Sequence, residues 1–204
     1  MSTLSVDKVE PVGSTLTFGE SGDAFVIPVG ATFTNNGVAT GFASGSTHAS
    51  QWRLTTDFAG TGAPIASNLE EVDAPLGFGV LGSSMTEASG IFTFPSTGYW
   101  HVTFNGSYSL LANNDNLAGV QLQTTTDSPT NTWGTAAEGG QYMFNYTGSG
   151  TIYSSCSASY IFDVTNVSTH KMRFISSVVT ASTITRGGTS TNRTFMTFNR
   201  LADT

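Results

Sequence analysis

Three short stretches of this 204-residue chain have the residue types and spacing that could do chemistry. Glu70, Glu71 and Asp73 form an acidic cluster. Two carboxylates about 5–9.5 Å apart can cleave a glycosidic bond when one of them stays protonated. These three crowd into one polar stretch, and a solvated loop is their expected role. Gly77, Gly79 and Gly82 reproduce the Gly-x-Gly-x-x-Gly spacing of a dinucleotide site. That chemistry needs a strand before the glycines and a helix after them, whose N-terminus holds the pyrophosphate. Ser83 to Thr86 leads toward another strand instead, so a glycine-rich turn is expected. Asn113, Asn114, Asp115 and Asn116 offer oxygens of the kind that ligate calcium. The same residue types tolerate left-handed backbone and build turns.

The remaining reactive side chains are scattered. His48, His101 and His170 are not paired at metal-ligand spacing. No Gly-x-Ser-x-Gly nucleophile elbow occurs among the many serines. Cys156 is alone, has no intrachain disulfide partner, and is expected to act as a small buried hydrophobe. The expectation is a protein without catalytic residues, metal or cofactor. Exposed aromatic rings can still stack on sugars. Trp133, in a polar, loop-like stretch, is the candidate glycan contact, with Trp52 a second. Packing at a subunit interface is the competing role for both.

Composition narrows the partners. Charged residues make up 10% of the chain, against about 25% in an ordinary globular protein. Net charge is −7, and Lys8 and Lys171 are the only lysines. Nucleic-acid affinity depends on clustered cations that meet phosphates, and no such cluster exists. No stretch approaches the ~18 apolar residues of a membrane-spanning helix. The opening MSTLSVDKVE lacks the apolar run of a secretory signal. Assembly in a cytoplasm, without nucleic acid or membrane as partner, is therefore expected.

The elements that must position these residues read as strands. Glycine, Ser, Thr and Phe are abundant, a composition that suits pleated, half-exposed sheets and not helices. Alternation of apolar and polar residues marks Tyr99–Phe104, Val120–Leu122, Tyr142–Tyr146, Tyr160–Val164, Met172–Phe174 and Thr194–Leu201. Turn-formers separate them at Asn113–Asn116, Asp127–Pro129, Gly139–Gly140, Gly148–Gly150 and Gly187–Gly188. A short turn is expected near Asn68–Asp73. Many short strands between such turns indicate an all-β sandwich or barrel. Residues 1–45 differ from the rest. Leu4 and Val6, Leu16 and Phe18, Phe25, Ile27 and Val29, then Phe33 form very short alternating runs broken by glycines. Such strands become stable when three chains each supply one wall of a narrow prism. The division expected is a β-stalk or anchoring segment at 1–45, ending in a Gly/Ser/Thr/Asn-rich linker over 35–50, and a head domain at 46–204.

One segment carries a resemblance. Residues 90–100, GIFTFPSTGYW, contain Gly90, Phe92, Phe94, Pro95, Gly98 and Tyr99, and fit the pattern Gly-x-Phe-x-x-Pro-x-x-Gly-x-Tyr/Trp with Trp100 in its last place. This resembles the jelly-roll heads shared by complement globular heads and tumour-necrosis-factor-like trimers. RTFMTFNRLAD at 193–203 is similar to the last strand of those heads, and SYIFDVTNVSTHKMRFI at 159–175 to their late hairpin. QWRLTTDFAG at 51–60, the run at 64–100, and the opening at 3–34 resemble structural proteins of tailed phages. The resemblance implies a homotrimeric, non-enzymatic jelly-roll head on a short stalk, in a phage fibre or decoration protein of the virion. Its partners would be two further copies, other virion proteins through the N-terminal segment, and a host surface glycan. A lectin-like receptor-recognition module is the alternative.

Overall fold

The computed structural model describes residues 29–30, 46–111, 113–145 and 148–204. The stalk contacts expected at Leu4, Val6, Leu16, Phe18, Phe25, Ile27 and Phe33 lie outside the described residues. Val29 sits in a turn with its side chain exposed.

The described chain is all β, without a helix. Its strands are β1 (Ala49–Leu54), β2 (Phe58–Ala59), β3 (Leu69–Glu71), β4 (Thr86–Ala88), β5 (Ile91–Thr93) and β6 (Gly98–Leu111). They continue as β7 (Asp115–Thr125), β8 (Gly134–Met143), β9 (Thr151–Val164), β10 (Lys171–Val178), β11 (Ile184–Thr185) and β12 (Phe195–Ala202). In the first sheet β3, β1, β12, β6 and β9 lie side by side. The short β11 pairs with the far end of β6, and β2 pairs with β11. The second sheet runs β4-β5-β10-β7-β8. Every pairing is antiparallel, and the two sheets face each other as a jelly-roll sandwich.

Side-chain alternation sets which face each residue takes. In β6, Trp100, Val102, Phe104, Tyr108 and Leu110 point inward and are buried, while Tyr99, His101, Thr103, Asn105, Ser107 and Ser109 point out. Phe92 of β5, Phe174 of β10 and Phe198 of β12 meet at ring distances of 5.2–5.8 Å, joining the two sheets. Edge-on aromatic pairs of this kind add to the stabilisation from burial alone.

The GIFTFPSTGYW segment turns the chain from one sheet to the other. Phe92 and Phe94 are core residues, and Pro95 follows the end of β5. Gly90 and Gly98 have φ of +81° and +138°. A Cβ on Gly90 would lie 2.4 Å from the Ile65 carbonyl oxygen, and one on Gly98 2.5 Å from that of Ala202. Only glycine combines those angles with such close backbone.

Three local expectations are corrected. The turn expected at Asn68–Asp73 is strand β3, which pairs with β1 from Trp52 to Leu54. The linker expected through residue 50 already belongs to β1 at Ala49 and Ser50. Gly139 and Gly140, read as a turn, lie inside β8. The reason is crowding: a Cβ on Gly139 would lie 2.2 Å from the Ser157 carbonyl oxygen of β9, where the two sheets close.

Candidate functional site

The acidic cluster is not a site for chemistry. Arg53 of β1 is fully buried although it points away from the core. Its guanidinium donates to Glu70 Oε1 at 2.7 Å, to Asp73 Oδ1 at 2.6 Å and to the Ala74 carbonyl at 2.7 Å. The carboxylates expected in a solvated loop thus fold that loop over the outer surface of β1.

The calcium-like run has a structural task as well. Asp115 is fully buried. Its oxygens accept from the backbone N–H groups of Leu117, Val179 and Thr180, each at 3.1 Å, and from the Thr183 hydroxyl. Asn114 Oδ1 accepts from the Asn145 N–H at 2.6 Å. With these oxygens engaged by protein donors, the turn ties the start of β7 to the 179–183 loop. Among the described residues, no three His, Cys, Asp or Glu side chains gather as a metal site. His48 lies against the Trp100 ring at 5.7 Å and His170 stacks on Phe162 at 5.6 Å, while His101 projects from β6.

Cys156 of β9 is half-buried, with its thiol 3.4 Å from the Ala118 carbonyl. Burial raises its pKa, and burial likewise pushes the neighbouring Tyr108 phenol far above its usual range. Thiol alkylation proceeds through the thiolate. Iodoacetamide should therefore modify Cys156 of the folded protein slowly at pH 8, accelerating only well above the ordinary thiol pKa of about 8.5. Mass spectrometry of the native and urea-unfolded chain checks this; equal rates at pH 8 would contradict it.

Two outward faces remain. On the first sheet, β9 pairs only with β6 among the described residues, and β8 of the second sheet closes against part of its other side, with Gly139 beside the Ser157 carbonyl and Gln141 Nε2 donating to Ser154 Oγ. Proteins protect edge strands with lysines, prolines or inward charges. The β9 sequence TIYSSCSASYIFDV has no lysine, no proline and a single charged residue, Asp163. Tyr153 and Ile161 project from it, 65% and 54% exposed, beside the exposed Tyr99 of β6. Asp163 Oδ1 is buried without a hydrogen-bond partner.

On the second sheet, the outward face carries a groove of about 450 Å³ over β7 and β8. Gly119 and Gly140 face each other in register and cut its floor. The next pair, Gln121 and Glu138, forms one wall, with Gln121 Nε2 donating to Glu138 Oε2 at 3.4 Å. Tyr142 and Leu117 stand at the other end. The Tyr142 ring is half exposed and stacks on Phe144 at 6.0 Å. The same sheet places Trp133 beside β10, where the Arg173 guanidinium lies over its ring at 4.4 Å. One face of the candidate glycan contact is thereby already covered. Trp52 packs edge-on against Phe92 at 5.4 Å and is half-buried at the core.

The order of strands in both sheets can be compared with solved structures. Eiger TNF from S. frugiperda aligns with a TM-score of 0.55 at 13% identity, over 79% of this chain and 96% of that one. The fold is a tumour-necrosis-factor-like jelly roll. Murine APRIL at pH 5.0 aligns at 12% identity with a TM-score of 0.46, over 76% of this chain and 98% of that one. No protein-family model and no curated protein matches the sequence. The jelly roll expected from GIFTFPSTGYW is thus present. The groove floored by Gly119 and Gly140 was not legible, because Gly139-Gly140 reads as a turn until β9 is seen crossing behind it.

Proposed function

We propose that this chain is a homotrimeric structural head, displayed on a phage particle as a fibre or decoration protein. The observation that carries the trimer is the outward face of β6 and β9. Tyr99, Tyr153 and Ile161 stand exposed on it, and β9 has a single charged residue, so a second copy can cover it without burying many charges. The tumour-necrosis-factor-like fold supports three copies as the arrangement, since the heads that GIFTFPSTGYW resembles associate as trimers. In this reading residues 1–45 anchor the head to other virion proteins. The resemblance read from residues 3–34, 51–60 and 64–100 to tailed-phage structural proteins favours the virion setting, as does a composition rich in hydroxyls and amides. The function is scaffolding and display, without turnover.

Light scattering of the purified chain tests the assembly. A species of three times the 21.3 kDa chain mass is expected. Ile161→Arg, which sets a cation in the middle of the proposed contact, should convert it to monomer. A monomeric parent protein would overturn the proposal. Immunogold labelling of particles from the culture that produces the chain tests the setting. Gold on the particles is expected, and gold confined to particle-free lysate would remove the virion assignment while leaving the trimer.

A further inference from the structure

We infer that the groove over β7 and β8 binds a neutral glycan, on the face of the sandwich opposite the free surface of β6 and β9. The inference requires neither the trimer nor the virion setting.

The shape comes from a glycine pair. Gly119 and Gly140 are neighbours in register and raise no side chain from the sheet, so the Leu117 side chain lies down over them at one end and Gln121 and Glu138 become the wall at the other. The volume, about 450 Å³, lies within the range of about 300–1,000 Å³ usual for small-molecule sites. The walls then select the ligand. Glu138 is the only charged residue lining the groove, and no lysine or arginine does. A phosphate, sulfate or carboxylate would meet a like charge and no cation, which excludes nucleotides and acidic sugars. One carboxylate does not make a metal site. A purely apolar ligand would cut the Glu138 carboxylate off from water with only the Gln121 amide as partner, at a cost in desolvation.

A neutral sugar satisfies all of these groups. Its hydroxyls donate to Glu138 and accept from the Gln121 amide, and those two side chains are already held together at 3.4 Å. An acceptor–donor pair of this kind matches two adjacent hydroxyls on a pyranose ring. The apolar face of the same ring can lie on Tyr142, which is half exposed and braced by Phe144 stacked at 6.0 Å.

The test is an array of neutral hexose and N-acetylhexosamine oligosaccharides probed with the intact protein, followed by calorimetry on the best binder. Binding is expected. Tyr142→Ala and Glu138→Gln should each weaken it at least tenfold, with thermal unfolding unchanged because both side chains are at the surface. Trp133→Ala, outside the groove, should leave the affinity as it was. The inference is overturned if no neutral oligosaccharide binds above background, if binding is confined to sulfated, acidic or amine-bearing glycans, or if both groove variants bind like the parent. Loss on Trp133→Ala alone would move the site away from the groove and equally overturn it.

Discussion

Asp115→Ala should unfold this head more readily than any other single truncation at its polar turns. The carboxylate is fully buried and accepts three backbone N–H groups and one hydroxyl. Alanine takes the carboxylate acceptor from the Leu117 and Thr180 N–H groups and from the buried Thr183 hydroxyl, and leaves the Val179 N–H only the Leu117 carbonyl at 3.2 Å. A buried donor without a partner costs about 1–3 kcal/mol, and several share one site, so a loss of about 3–5 kcal/mol is expected. At about 2–4 °C per kcal/mol for a domain of this size, the melting temperature should fall by roughly 10 °C or more. Thr183→Val removes one donor together with its need and should cost only about 1 kcal/mol. Denaturant unfolding of both variants measures the difference. Hydrogen exchange at the Val179 and Thr180 amides should accelerate in Asp115→Ala and not in Thr183→Val. A small loss from Asp115→Ala would mean that the 179–183 loop is held by β10 and β11 alone.

The sequence announces the core of this fold more clearly than its surface. Trp100, Val102 and Phe104 alternate with polar neighbours because one face of β6 meets the opposing sheet, and a period of two survives in the sequence. The same holds for Met172 and Phe174 in β10. Phe92, Phe94, Gly90 and Gly98 are legible as a unit, since a sharp passage between sheets demands glycine at both ends and aromatic filling between. Other features depend on residues far apart in the chain. Tyr142 and Phe144 alternate like core residues yet are half exposed, because Tyr142 shares with Gly140 and Glu138 the face of β8 that points away from the opposing sheet. Glu70 and Asp73 look like solvated charges because their partner, Arg53, is 17 and 20 residues away. Asp115 looks like a turn-former or calcium ligand because its donors at 179, 180 and 183 arrive from a distant loop. The glycan groove has the same origin. Gly119 and Gly140 acquire meaning only when register places them opposite each other.

Those distant partnerships share a consequence for function. The two outer surfaces of the sandwich are kept different by the few charges the chain has. Arg53, Glu70 and Asp73 are spent among themselves over β1, and Arg173 lies on Trp133 beside β10. The β6–β9 surface is left with few charges, Asp163 and the Arg186 guanidinium that lies over the Tyr153 ring at 4.7 Å, which suits contact with an identical surface. The β7–β8 surface keeps Glu138 without a cation partner among the described residues, which suits a ligand rich in hydroxyl donors.

The Arg53 network makes an asymmetric prediction. The guanidinium is fully buried, whereas Glu70 is about one-third exposed and Asp73 mostly exposed. Removing an anion therefore strands a buried cation, but removing the cation releases two carboxylates to water. Glu70→Ala should cost about 2–3 kcal/mol, below the 3–5 kcal/mol typical of a broken buried pair because solvent and Asp73 still reach one end of the guanidinium. Arg53→Met keeps most of the buried volume and ends the need for charge, so it should cost about 1 kcal/mol or less, as replacement of buried ion pairs by apolar groups often does. In the double variant Arg53→Met/Glu70→Ala, the cost of the glutamate substitution should nearly vanish, because no cation is left to strand. Denaturant unfolding of the three variants supplies the cycle. If Arg53→Met were the more damaging single change, the hydrogen bonds to Glu70, Asp73 and the Ala74 carbonyl would outweigh the desolvation they offset. The 70–75 segment would then be held in place over β1 by those bonds, not by the packing of Arg53 beneath it.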